Sequence, residues 1–185
     1  MKDLIKRKSY LIAMLLILFS EATMAQSGSW SNLLYQNSYW GFAYPTQTDF
    51  RIRSQSDLAR FAYLVNQGDD FRNKTVYLDV SLNMDMYFWV PIGTEEHPFR
   101  GTFKGGNFTI GGIRMQGNDK YAGLFGHVAD GSVEDVQIGS SVIAGEGYVG
   151  AIAGCVENAR ISGCSLLKDV EIQGTGCAAC YPLFL

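Results

Sequence analysis

From Lys74 onward, apolar residues recur at every second position: Val76, Leu78 and Val80 alternate with Thr75, Tyr77 and Asp79. Phe108 and Ile110, then Ile113 and Met115, repeat the pattern across a Gly111-Gly112 step. A period of two is that of a half-buried strand, and short strands bounded by glycine every eight to twelve residues predict an all-β fold. A sandwich, a barrel and a solenoid all satisfy that much. The preceding stretch has a different period. Leu58, Phe61, Ala62 and Val65 fall at i, i+3, i+4 and i+7, one apolar stripe on a helix. Ser56 or Asp57 is placed to cap its start, and Gly68 to end it in the left-handed conformation.

An internal repeat separates the three architectures. Tyr121-Ala-Gly123-Leu-Phe-Gly126 returns as Tyr148-Val-Gly150-Ala-Ile-Ala-Gly154, offset by 27 residues and, after one insertion, by 28. At 28, Val128 falls on Val156, Val133 on Ile161, Val136 on Cys164 and Ile138 on Leu166; Val142 and Ala144 fall on Val170 and Ile172. A fixed period of this size marks a solenoid, in which each repeat buries the same face against its neighbour. A coil of three short strands with glycine corners fits that length, and the competing reading is a coincidental pair of hairpins. The expected fold is therefore a right-handed β-helix with a short N-terminal capping helix.

Composition agrees with a folded chain: of 185 residues, 47% are hydrophobic and 18% charged. Seventeen of the 21 glycines lie within residues 101–185, so turns concentrate where the repeat is. A formal net charge of −3 argues against a nucleic-acid binder, which would present a basic face. Residues 1–25 read as a secretory signal peptide, with Lys2, Lys6, Arg7 and Lys8, an apolar run from Leu11 to Phe19, and Thr23 and Ala25 before the cleavage point. That run is too short for a permanent span, which needs about 20 residues. Cleavage removes four positive and two negative charges and takes the net charge from −3 to −5. Residues 26–53 form an aromatic-rich segment containing Trp30, Tyr39, Trp40 and Phe50. Such rings can stack on sugars, with Trp30, Tyr39 and Trp40 the candidate contacts, although burial over the end of the following domain is the favoured reading. The β-helix is expected over 54–185.

Gly123-Leu124-Phe125-Gly126 resembles the GLUG motif, with Gly150 and Gly154 as the second copy's glycines. The segments before it resemble those that precede such repeats in exported bacterial proteins: the helix at 58–65, Val76-Tyr-Leu78, Trp89-Val-Pro91-Ile-Gly93, Phe99-Arg-Gly101-Thr-Phe103 and Asn107-Phe-Thr-Ile110. Together they cover residues 54–174. The resemblance implies a β-helix in a surface or secreted protein, often adhesin-like or an accessory region of an immunoglobulin-cleaving peptidase. The motif is structural and brings no catalytic residues. The second copy departs from it at Ala151-Ile152-Ala153, and a third copy would need glycine where Pro182 stands. The expectation is a fragment of a longer solenoid, or a chain that completes its last coil against a partner.

Candidate chemistry is sparse. The histidines are His97, in a turn-like stretch, and His127, which aligns with Cys155. Neither G-x-S-x-G nor H-E-x-x-H occurs. The cysteines at 155, 164, 177 and 180 supply one C-x2-C, where a structural zinc site usually pairs two close-spaced sets. Cys177 and Cys180 can form a disulfide in an oxidising compartment, and Cys164 reads as a small buried hydrophobe. Asp79, Asp85, Asp130, Glu134, Asp135 and Glu146 are scattered along the chain. The expected function is a non-enzymatic, adhesin-like binding and scaffold module. Its partners would be glycans or host and extracellular proteins, with no metal and no cofactor. The alternative is a β-helix polysaccharide lyase or glycoside hydrolase relying on Asp79, Asp85 or Glu134.

Overall fold

Every strand pairing among the described residues is parallel. The structure, a computed structural model, describes residues 46–174. Residues 1–25, Trp30, Tyr39, Trp40, Cys177, Cys180 and Pro182 lie outside the described residues. Parallel neighbours cannot be joined by a hairpin, so the chain must travel around before it pairs again. Here it does so in about four turns, giving a parallel β-solenoid that carries, among the described residues, a single helix.

Asp49–Ile52, Thr75–Leu78, Thr102–Lys104, Ser132–Glu134 and Arg160–Ser162 stack into a five-stranded sheet. Register places Phe50, Val76, Phe103, Val133 and Ile161 in one column. A four-stranded sheet aligns Leu82, Ile110, Ile138 and Leu166 in a second. Three two-stranded ladders complete the coils. The expected pairings of Val128 with Val156, Val133 with Ile161 and Ile138 with Leu166 all occur. On the last described rung the interior columns lose their cover. Ile138 and Ile143 are fully buried, but their neighbours Leu166 and Ile172 are each 42% exposed.

One expected pairing is corrected. Ser141–Gly145 and Val170–Gly174 are offset by 29 residues, so Val142 sits beside Glu171 and Ala144 beside Gln173, while Ile143 pairs with Ile172. The corner leading into the later strand carries one more residue, between Leu166 and Val170, than the corner between Ile138 and Ser141. Asp169 takes it up with a left-handed φ of 64°. Because side chains alternate, a fixed offset of 28 would have turned the buried Ile143 column outward.

The helix, α1 (Gln55–Asn66), lies between the first two strands of the five-stranded sheet. Among the described residues, that first rung has a strand in this sheet alone, and α1 takes the place of the rest of the coil. Its cap is Ser54, two residues before Ser56 and three before Asp57, the expected caps. The Ser54 hydroxyl accepts from the Asp57 amide at 3.1 Å, and the Asp57 carboxylate accepts from the Arg53 amide at 3.0 Å. Gly68 follows the last turn at φ 103°, as the sequence suggested. The apolar stripe points inward. Phe61 meets Phe71, Phe99, Phe103 and Phe125 with ring centroids 5.0 to 6.4 Å apart. These rings belong to successive coils, so α1 plugs the near end of the interior. Phe50, from the aromatic segment, is also buried and meets Phe71 edge-on. Among the described residues, no helix is long and apolar enough to cross a membrane.

Candidate functional site

Three glycines and a run of polar side chains line an open groove of about 870 Å³ between the four-stranded sheet and the ladder of Ser141–Gly145 with Val170–Gly174. Each coil contributes at the same bend: Asn83 and Asp85 first, then Gly111, Gly112 and Arg114, then Gly139 and Ser140, and last Asp169 and Glu171. Neighbouring rungs in a sheet lie about 4.8 Å apart, so the groove runs along the solenoid axis across four rungs.

The walls are held by side-chain and backbone bonds. The Asn83 amide donates to the Asp85 carboxylate at 3.0 Å. The Arg114 guanidinium donates to the Asp85 backbone carbonyl and stands over the Phe88 ring at 5.9 Å. The Ser81 hydroxyl accepts from the Thr109 amide, and the buried Ser141 hydroxyl accepts from the Ile113 amide, each at 3.1 Å. The floor backbone is already used between coils: Met84 N–H to Gly111 carbonyl at 2.8 Å, Gly112 N–H to Ser140 carbonyl at 2.7 Å, and Gly139 N–H to Ile110 carbonyl at 3.0 Å. Three carboxylates, on Asp85, Asp169 and Glu171, face one guanidinium, so the groove is acidic.

The acids weighed for catalysis are distributed over different surfaces. Asp79 is held by Arg51 at 2.8 Å and Arg53 at 3.0 Å. Asp130 pairs with Arg100 and lies 3.7 Å from Arg72. Glu134 accepts from the Ser132 hydroxyl at 3.2 Å on the five-stranded sheet, and Asp135 forms its left-handed corner at φ 54°. Of the acids considered from sequence, only Asp85 lines the groove. His97 is exposed in the loop after Gly93, its backbone N–H donating to the Thr94 hydroxyl. Sequence reading passed over the groove's Gly111, Arg114, Asp169 and Glu171. The signal available was the outward position of these residues beside the buried Ile110, Ile113 and Ile143, at corresponding points of successive repeats.

A second cluster forms where Phe125–Ala129 and Ala153–Glu157 pair. His127 and Cys155 are register partners, as the sequence alignment has them. The His127 ring is buried, has no hydrogen-bond partner at either nitrogen among the described residues, and lies 3.6 Å from the Glu157 carboxylate. Tyr121 packs 5.7 Å from it and stacks on Tyr148 at 5.4 Å. Burial first, then the carboxylates of Glu157 and Glu95, push the Cys155 thiol above its ordinary value. Burial does the same to Cys164, whose thiol donates to the Ser162 carbonyl at 3.5 Å. A protonated thiol is a poor nucleophile. In a chain carrying Cys177→Ser and Cys180→Ser, iodoacetamide is expected to alkylate folded protein at pH 8 more slowly than urea-unfolded protein. The rate should keep climbing above pH 9, and equal folded and unfolded rates would contradict the half-buried positions of Cys155 and Cys164. Among the described residues, no three His, Cys, Asp or Glu side chains gather as metal ligands.

The corner glycines of the repeat are fixed by contact. A Cβ at Gly123 would stand 2.5 Å from the Gly150 carbonyl oxygen, and one at Gly150 would stand 2.3 Å from that of Ala153. Leu124, next to Gly123, is fully buried, and its carbonyl accepts from the Trp89 indole at 3.1 Å. No protein-family model, curated protein or solved structure matches the chain.

Proposed function

We propose that this chain is an exported, adhesin-like binding and scaffold module of the GLUG-motif kind, acting at the cell surface or in the medium without turning its ligand over. The observation that carries the reading is the open groove, lined by polar side chains together with Leu82, Val142 and Val170, that crosses four rungs of a regular stack. A ladder whose interior is buried keeps its register whatever the outward side chains are, so the outer face is free to specialise in recognition. The acids weighed for catalysis support the same reading, because Asp79 and Glu134 are held by partners of their own away from Asp85. Residues 1–25 supply the export signal, and Gln26 is the expected first residue of the mature chain.

The test has two parts. Expressed in a bacterium, the chain is expected to leave the cytoplasm with residues 1–25 removed, as N-terminal sequencing of the product reads directly. The purified product is expected to bind members of an immobilised panel of glycans and extracellular-matrix proteins, and to release no sugar from polysaccharides on prolonged incubation. Reducing-sugar release that disappears with Asp85→Asn would replace this reading with a carbohydrate-active enzyme.

A further inference from the structure

Gly111 is a glycine that the fold does not require. Its φ lies outside the left-handed region, and a Cβ there would meet nothing closer than 3.7 Å, at the Gly139 Cα. Its neighbour differs. Gly112 has φ +71°, and a Cβ on it would fall 2.1 Å from the Asn83 side-chain oxygen and 2.7 Å from the Asp85 nitrogen. Gly139 is intermediate, with a Cβ position 2.9 Å from the Thr109 methyl. Gly111 is also the last residue of the strand Thr109–Gly111, where glycine weakens pairing and leaves nothing to pack. Glycine in a strand is found at bulges, at tight bends and where a ligand or another backbone approaches closely, and at Gly111 the open groove favours the last of these. Gly111 lies on the groove floor, with Asn83 on the rung above.

We propose that Gly111 and Gly139 form the floor of a binding subsite, and that the groove takes a neutral, hydroxyl-rich glycan chain laid along the solenoid axis. The inference rests on the reading of the chain as a binding module and assigns its site and ligand class. Two observations choose the ligand. The floor's N–H and C=O groups named above are consumed between coils, so an extended peptide finds no strand edge there to extend. What remains for a ligand are hydroxyl, amide and carboxylate side chains beside the exposed Val142 and its neighbour Val170, which suit the hydroxyls and the apolar faces of sugar rings. Charge then selects among glycans. Asp85, Asp169 and Glu171 outnumber Arg114, which is already turned to the Asp85 carbonyl, so an acidic polymer is repelled. The missing Cβ at half-buried Gly111 lets a sugar ring lie against the backbone there.

The test uses the secreted chain against immobilised gluco-, manno-, xylo- and galacto-hexaoses, with galacturonate hexamer and extracellular-matrix proteins as the other arms. Binding to at least one neutral hexaose is expected, with at least tenfold weaker binding to the galacturonate hexamer. Gly111→Leu should lower the affinity for the bound hexaose at least tenfold. Gly111→Ala should keep the melting temperature at or above that of the parent. Ser140→Tyr, at an exposed groove position, reads the same loss if Gly111→Leu does not fold. Tight galacturonate binding, or hexaose binding indifferent to the substitutions at Gly111 and Ser140, overturns the inference. So does binding confined to matrix proteins, although the binding-module reading then survives. Binding to no arm at all removes both.

Discussion

Phe61→Ala is expected to lower the stability of the fold by about 3–5 kcal/mol, the usual range for deleting a buried aromatic ring. The ring is wholly buried and is the point at which α1 engages the coils. It stacks on Phe103 with an interplanar angle of 18° and meets Phe71, Phe99 and Phe125 at steeper angles. The cost depends on whether the neighbours can close the void. Here they cannot do so freely, because Phe103 and Phe125 are each pinned to a rung by parallel pairing. The substitution also weakens the plug, so the first rung should open before the rest. Urea unfolding followed by circular dichroism and by amide exchange checks both statements. A loss below about 1 kcal/mol, or earliest exchange in Ser132–Glu134 rather than in Asp49–Ile52, would show that α1 does not hold the end closed.

Gly126→Ala is the second large effect, about 2–4 kcal/mol, even though only one methyl group is added. The new Cβ would sit 2.4 Å from the Gly93 carbonyl oxygen and 3.1 Å from the Pro91 side chain. Gly93 belongs to the preceding coil, and the spacing between the two is fixed nearby by the Gly126 N–H to Ile92 carbonyl bond at 2.8 Å. Relief requires that bond to break or the rung to shift. Gly154 repeats the situation one coil later, with a Cβ position 2.7 Å from the Tyr148 carbonyl oxygen and 2.8 Å from the Ala122 nitrogen. Differential scanning calorimetry of Gly126→Ala beside Gly111→Ala makes the comparison internal. The first should melt well below the parent chain and the second should not. Equal melting temperatures would remove the steric account of the motif.

The buried columns were legible before any coordinates because an interior column demands the same kind of side chain at the same point of each turn. Val133 over Ile161 and Ile138 over Leu166 follow directly from the offset of 28. The slip at Val142 was not legible, since one added corner residue changes which alternate positions face inward and leaves no apolar signature of its own. The helix stripe was visible, but its cap was misplaced because Ser54, Ser56 and Asp57 are all good capping types; the bond from the Asp57 amide to the Ser54 hydroxyl, with the Asp57 carboxylate turned back to the Arg53 amide, decides among them. The corners carried a repeat that an apolar alignment ignores. Asn107, Asp135 and Gly163, each 28 residues apart, all take a left-handed φ, as do Asp130 and Asn158. These are the residue types that tolerate that conformation. The groove was the least legible feature. Its residues face outward, where the stacking imposes no identity, and Gly111 stands out only once the space around it can be measured.

The corners differ in length while the columns do not. Between the five-stranded and four-stranded sheets the chain takes seven steps from Thr75 to Leu82, eight from Thr102 to Ile110, and six from Ser132 to Ile138. Surplus residues leave at the bend, as at Gly106 and Asn107, and the next strand rejoins its neighbour in register. Such a scaffold separates two kinds of inheritance. Insertions at a bend can remodel the perimeter in a single mutational step, whereas interior positions change only in concert with those above and below. Lineages of such chains should therefore diverge fastest in outline and slowest in cross-section.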